Sequence, residues 1–314
     1  MHIEIRVHCK RKKYYLAHSF RRDGKVKKMR FYLGANLSQN ELKIRKEKGE
    51  KILKERIEKY KIIYDPFYVV SSTLELEELK TLEAKGKIKI FHLNENDWFK
   101  FTKLFTYDTN ASEGSTVSVS EVGDILENSK WPEKRTKWEI SETYGVAEAI
   151  KRIRKTQEHI SLNLIKELHK IVFGNSKSFA GNFREKGTEV AVVDALGNIV
   201  HKGAPSDQVT RLLNELIKWY NKNKNKYPTL VLAAVVHNHF EAIHPFRDGN
   251  GRVGRLLLNN ILLKHKMPPV NIELKNRREY YAALQEYQKN RNIRPMIELI
   301  LKEYRELKKT LKKG

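Results

Sequence analysis

Twelve consecutive residues concentrate the chemistry this sequence offers: His244-Pro245-Phe246-Arg247-Asp248-Gly249-Asn250-Gly251-Arg252-Val253-Gly254-Arg255. They lie between two stretches of helical spacing, the second running from about Gly251 to Lys266 until Pro268-Pro269 stops it. Gly249-Asn250-Gly251 therefore falls at a helix N-terminus. Backbone N–H groups there lack intrahelical acceptors, the helix dipole is positive, and glycines let a phosphate come close. Arg252 and Arg255 share a face of the first turn and add charge-assisted hydrogen bonds to a polyphosphate. Asp248 is a hard oxygen ligand suited to a Mg²⁺ ion that bridges phosphates. His244 has an ordinary pKa near neutrality, which makes it the natural proton acceptor for an attacking hydroxyl. His237, His239 and His244 with Glu241 form a second grouping, but it matches no zinc pattern. HExxH is absent and the chain has a single cysteine, Cys9.

The elements that must position this segment are mostly helical. From Asp97 onward apolar residues recur at helical spacing, as in Val209, Leu212, Leu213, Leu216, Ile217 and Tyr220. The exception is Thr188 to Val193 with Asn198 to His201, two short runs around Ala195-Leu196-Gly197 that predict a β-hairpin. At the other end, His2 to His8, Lys13 to Phe20 and Lys27 to Leu33 have strand composition, with Asp23-Gly24 as a hairpin turn. Ser38-Gln39-Asn40-Glu41 then opens a Lys/Glu-rich helix to about Lys61. A further helix from about Thr73 to Ala84 and a run at Lys87 to Phe91 read as connecting structure. The organisation expected is a basic β-meander and helix module at 1–64, a connecting segment at 65–97, a helical catalytic domain at 98–305 and a basic tail at 306–314.

Composition narrows the function classes. The 314 residues carry 62 Lys and Arg against 38 Asp and Glu, a net charge of +24, which favours anionic partners. With 40% hydrophobic residues the chain can build a real core, so wholesale disorder is excluded. One cysteine permits no intrachain disulfide and suits a reducing compartment. No apolar run has signal-peptide or membrane-spanning length, so a cytoplasmic protein with no membrane partner is expected.

The twelve-residue string matches at every position the signature His-x-Phe-x-(Asp/Glu)-Gly-Asn-Gly-Arg-x-x-Arg of the Fic family. The resemblance runs from about Trp98 to Tyr304. It takes in Gly181-Asn182-Phe183-Arg184, the Ala204-Pro205 turn before the helix containing Trp219, and the Tyr280-Tyr281 pair. It implies a mainly α fold, a helical Fic-like domain with a β-hairpin flap. It also implies a protein adenylyltransferase that moves AMP from Mg-ATP to a Ser, Thr or Tyr hydroxyl of a protein, or of itself. By that resemblance His244 is the base and Asp248 the Mg²⁺ ligand. Gly249, Asn250 and Gly251 bind the α- and β-phosphates, and Arg252 and Arg255 the β- and γ-phosphates. Tyr281 and Gln288 fall on the adenine side, and the flap, with Val190 and Val192, pairs with the target's backbone.

Thr109-Asn110-Ala111-Ser112-Glu113-Gly114 resembles the family's inhibitory motif, (Ser/Thr)-x-x-x-Glu-(Gly/Asn), followed by an expected helix at Ser115 to Leu126. A Glu113 carboxylate paired to Arg255 takes the charge partner meant for the γ-phosphate. Two alternatives stand beside the transferase: a de-AMPylating hydrolase of the same fold, and a nucleic-acid-binding regulator with a self-modifying Fic domain. The second rests on residues 1–64, where Lys and Arg interleave with Tyr14, Tyr15, Phe20, Phe31 and Tyr32.

Overall fold

The computed structural model describes residues 1–8, 11–22, 25–64, 77, 81, 93–193, 199–290 and 292–312. The turn expected at Asp23-Gly24, the run at Lys87 to Phe91 and the turn at Ala195-Leu196-Gly197 lie outside them, as does the helix expected at Thr73 to Ala84 except for Glu77 and Thr81, which are helical. The chain divides into two compact units, Met1–Asp65 and Pro66–Gly314.

In the first unit β1 (His2–His8), β2 (Arg11–Arg22) and β3 (Lys25–Ala35) form an antiparallel sheet in the order β1-β2-β3. The register sets Ile3 opposite Leu16 and Leu16 opposite Phe31, so alternation turns these apolar residues to one face. Helix α1 (Gln39–Tyr64) covers that face, and Leu16, Leu33, Leu53 and Ile57 make the core between them. At the helix start the Ser38 N–H and hydroxyl donate to the Glu41 carboxylate at 2.9 and 2.8 Å, which fixes where the helix begins.

The second unit is mainly helical. Its elements are α2 (Glu95–Ser112), α3 (Val119–Asn128), α4 (Lys137–Lys155), α5 (Leu162–Phe173), the hairpin β4 (Ala191–Val193) and β5 (Ile199–Lys202), then α6 (Val209–Asn223), α7 (Thr229–Ile243), α8 (Asn250–Lys264), α9 (Arg277–Asn290) and α10 (Arg294–Lys312). Capping boxes at Asn94/Asp97, Ser118/Glu121 and Thr136/Glu139 start α2, α3 and α4. Helix α7 is buried from Leu230 to Ile243 and apolar nearly all round, the pattern of a central helix. It packs chiefly against α8, with α6, α9 and α10 also on it. Among the described residues no helix is long and apolar enough to cross a membrane.

Two expectations are corrected. Helix α3 begins at Val119 rather than at Ser115, because the Thr116 N–H and hydroxyl donate to Glu139 at 2.7 and 2.8 Å and hold the chain out of a helix. The first hairpin strand begins at Ala191 rather than at Thr188. The Thr188 N–H closes a turn on the Glu185 carbonyl, and Glu189 accepts from the Ser206 N–H and hydroxyl.

Candidate active site

The loop between α7 and α8 is built by its own backbone and by three neighbours. His244 caps α7 in the left-handed region, φ 52° and ψ 62°, a conformation that costs a non-glycine residue about 1–2 kcal/mol. Arg184 offsets that cost. Its fully buried side chain donates from Nε to the His244 carbonyl at 2.8 Å and also reaches the carbonyls of Ile243, Ala204 and Thr188. Asn250 closes the loop from inside, accepting the Phe246 N–H at 2.8 Å and donating to the Phe246 carbonyl at 2.9 Å. His169 holds the other side: its Nδ1 accepts the Gly181 N–H at 2.8 Å, so its Nε2 donates to the Asp248 carbonyl at 3.1 Å. Its ring stacks on Phe246 with centroids 3.8 Å apart, and burial pushes its pKa down to about 4, which keeps it neutral.

His244 presents its Nδ1 to the Glu241 carbonyl at 3.2 Å. A carbonyl only accepts, so Nδ1 carries the hydrogen and Nε2 is the basic position. Burial lowers the His244 pKa, with the Glu241 carbonyl and Glu113 acting the other way, and the ring is neutral near pH 7.

Gly249 caps α8 at φ 80° with no side-chain cap, so the first N–H groups of that helix point into the site. Over them sits Glu113, the residue that ends α2. A side chain at Gly251 would collide with its Oε1, so the carboxylate lies against the glycine backbone where an anion would bind. The same Oε1 accepts from Arg255 at 2.6 Å, and Arg255 also donates from Nε to the Thr109 hydroxyl at 2.7 Å. Burial opposes charge on both partners, but Arg255 and Arg252 outweigh it at Glu113, as Glu113 does at Arg255, so the pair is ionised.

Arg252 turns elsewhere. Its guanidinium pairs with Glu142 on α4, lies 3.5 Å from the Asn110 side chain and sits 4.4 Å from the centre of the Phe173 ring. Lys177 continues the chain of charge, 3.9 Å from Glu142 and 3.2 Å from Asp248 Oδ2. The other Asp248 oxygen accepts the Gly249 N–H at 2.7 Å. Burial works against ionisation of Asp248, and Arg252 and Lys177 outweigh it to hold the carboxyl below its ordinary value. Among the described residues no three His, Cys, Asp or Glu side chains gather into a metal cluster. A single ionised carboxylate, 44% exposed beside the helix terminus, nonetheless fits a Mg²⁺ ion that arrives on a polyphosphate with its waters.

Tyr281 packs on Tyr280 with ring centroids 5.3 Å apart, and the Tyr280 hydroxyl lies 3.5 Å from Arg255. Gln288 stands two turns further along α9, half-buried. The Val190 carbonyl accepts the Gly203 N–H at 3.0 Å, and Val192 pairs with His201 in the hairpin ladder. The structure thus brings His244, Asp248, Gly249, Asn250, Gly251, Arg255 and Glu113 together. It adds Arg184, His169, Glu142, Lys177 and Tyr280, which no local pattern marked. Only Gly181-Asn182-Phe183-Arg184 and Tyr280-Tyr281 had stood out, and only within the wider resemblance.

Residues 159–262 match the model of the Fic/DOC family. They form a Fic/DOC-family domain. Around it, the chain is 32% identical over 200 residues to a protein adenylyltransferase Fic of Nematostella vectensis, an alignment covering 62% of this chain and 45% of that protein. The chain therefore spans about half the length of that relative or less. Two solved structures share the Fic fold. One is a Fic-domain-containing signalling protein from Bacteroides thetaiotaomicron, with TM-score 0.63 and 22% identity over 73% of this chain and 94% of that one. The other is Fic-1 (residues 134–508) from C. elegans, with TM-score 0.62 and 22% identity over 88% and 79%. The family match ends inside α8, and α9, which closes over Arg255, lies beyond it.

Proposed function

We propose that this protein is an adenylyltransferase that moves AMP from Mg-ATP to a Ser, Thr or Tyr hydroxyl of a protein, restrained by Glu113. The observation that carries the reading is the Glu113 carboxylate lying on Gly251 at the start of α8 while paired to Arg255. An anion-binding helix terminus closed by the protein's own anion is a phosphate site held off. With Glu113 displaced, the N–H groups of α8 cradle the α- and β-phosphates and Arg255 turns to the γ-phosphate. His244 Nε2 takes the proton of the target hydroxyl as its oxygen attacks the α-phosphorus. The α–β bridging bond breaks and pyrophosphate leaves. Asp248 would hold Mg²⁺, which when bound neutralises phosphate charge. The open edge of the β4–β5 hairpin, with Val190 and Val192, is the surface on which a target segment adds as a strand.

The test is incubation of wild type, Glu113→Gly and His244→Ala with Mg²⁺ and ATP labelled at the α-phosphate, with recovery of label from the protein itself and from added proteins. Label is expected to rise at least ten-fold in Glu113→Gly and to vanish in His244→Ala. Equal labelling of wild type and a folded Glu113→Gly would remove the restraint from the reading, and labelling that survives in His244→Ala would remove the base. The hydrolase alternative is read from the same proteins by following loss of label from a previously AMP-modified target.

A further inference from the structure

We propose that the outward face of the β1–β3 sheet is a binding platform for single-stranded nucleic acid. The proposal is independent of the transfer chemistry, since every residue it uses belongs to the Met1–Asp65 unit. One face of the sheet is taken up by α1. The residues between the core positions point the other way: Glu4 and Arg6 on β1, Lys13 and Tyr15 on β2, Lys28, Arg30 and Tyr32 on β3. Tyr15 and Tyr32 are cross-strand partners with ring centroids 5.3 Å apart, and Tyr32 is 50% exposed. The Arg6 guanidinium lies 5.4 Å from the centre of the Tyr15 ring.

An ordinary solvated face balances its charges and hides its rings. Here Glu4 is the one carboxylate among the described residues of this face, and it is engaged by both Lys28 and Arg30. Arg6 and Lys13, directly opposite each other in the ladder, have no carboxylate partner among the described residues. Residues 1–36 carry eleven Lys and Arg against two acidic residues, so the surrounding field is strongly positive. Two neighbouring tyrosines beside unpaired cations on an open sheet match what unpaired bases need, namely a ring to stack on and a cation within reach of the adjoining phosphate. A duplex keeps its bases stacked internally and has no use for the rings.

The test uses the full chain and a fluorescent single-stranded oligonucleotide of about twelve nucleotides, a length within the site sizes of single-strand-binding OB-folds. The same strand annealed to its complement is the second probe, and anisotropy is followed across a salt series. The single strand is expected to bind more tightly than the duplex, with affinity falling linearly on logarithmic axes as salt rises. Replacing Arg6 and Lys13 together by Gln should flatten that slope by about 1.4, or about 0.7 for each phosphate left without its cation. Tyr32→Ala should weaken binding about ten-fold at every salt concentration with the slope unchanged, and Tyr32→Phe, which keeps the ring, should bind like wild type. Absence of binding, preference for the duplex, or variants that leave both affinity and slope untouched would overturn the proposal.

Discussion

At the scale of single residues, the site is a set of buried ion pairs with one carboxyl beside them that burial keeps protonated. Glu241 lies behind His244, its Oε2 3.9 Å from the His244 Nδ1, while its Oε1 makes no hydrogen bond and rests against Gly254. Burial pushes its carboxyl up to about 8, with Arg255 opposing and Glu113 adding to the rise. The folded protein therefore keeps this proton well past the pH at which the unfolded chain gives it up, near 4.5. Folding takes up a proton between those values, so this group's contribution to stability is present below about 4.5 and is lost as pH rises toward 8. The loss is at most about 1.4 kcal/mol per pH unit. Glu241→Gln has no such proton, and its stability relative to wild type should climb across that window. Urea midpoints for both proteins at pH 5 and pH 8 measure the difference, and parallel changes would show that Glu241 does not titrate there. Sequence alone marked His244 and Arg255 by type and spacing, but the state of Glu241 was out of its reach. It depends on what α8 and α9 enclose rather than on any neighbour in the chain.

At the scale of elements, the proposed restraint would depend on how α2 as a whole is held. Asp108, the residue just before the Thr109 to Gly114 motif, accepts the Asn271 amide at 2.6 Å and the Leu274 N–H at 2.9 Å, which pins α2 to the segment leading into α9. Asp108→Ala leaves the buried Asn271 amide and the half-buried Leu274 N–H without this acceptor, a loss of about 1–3 kcal/mol, and should let α2 shift. AMP transfer is then expected to rise several-fold in the wild-type background and to be unchanged in the Glu113→Gly background. Equal falls in both would make Asp108 a stabilising residue with no part in the restraint. Helical periodicity gave α6 and α8 nearly to their ends, and strand composition gave the sheet. The α2 anchor was not readable, because Asp108 and Leu274 lie 166 positions apart and nothing local links them. The start of α3 was misplaced for a similar reason, since Glu139, on α4, decides it.

At the scale of the whole molecule, two units with separate cores share one chain. The first rests on four buried residues, Leu16, Leu33, Leu53 and Ile57. Leu53→Ala should cost about 2–5 kcal/mol, comparable to all the stability a unit of that size has. Hydrogen exchange read by mass spectrometry is expected to show protection lost across β1–β3 and α1 but kept in α7 and α8. Loss of protection in all of these together would show that the units unfold as one. Composition places a boundary near residue 64, where the strongly basic stretch ends. What the sheet's outward face looks like was not visible there, because which of the basic residues share it depends on register.

The placement of Glu113 against Gly251 has a consequence for how such a protein can change over generations. In the proposed reading, restraint and catalysis would draw on the same donors, the N–H groups that open α8 and the guanidinium of Arg255, both of which Glu113 now meets. On that reading a substitution at Arg255 that released the carboxylate would also discard the hold on the nucleotide, and an inactive enzyme rather than an unrestrained one is the expected outcome. Gain of activity would then be confined to the α2 side of the contact, while loss of activity would be available on both sides. Inheritance would thus unlock such an enzyme through few positions and disable it through many.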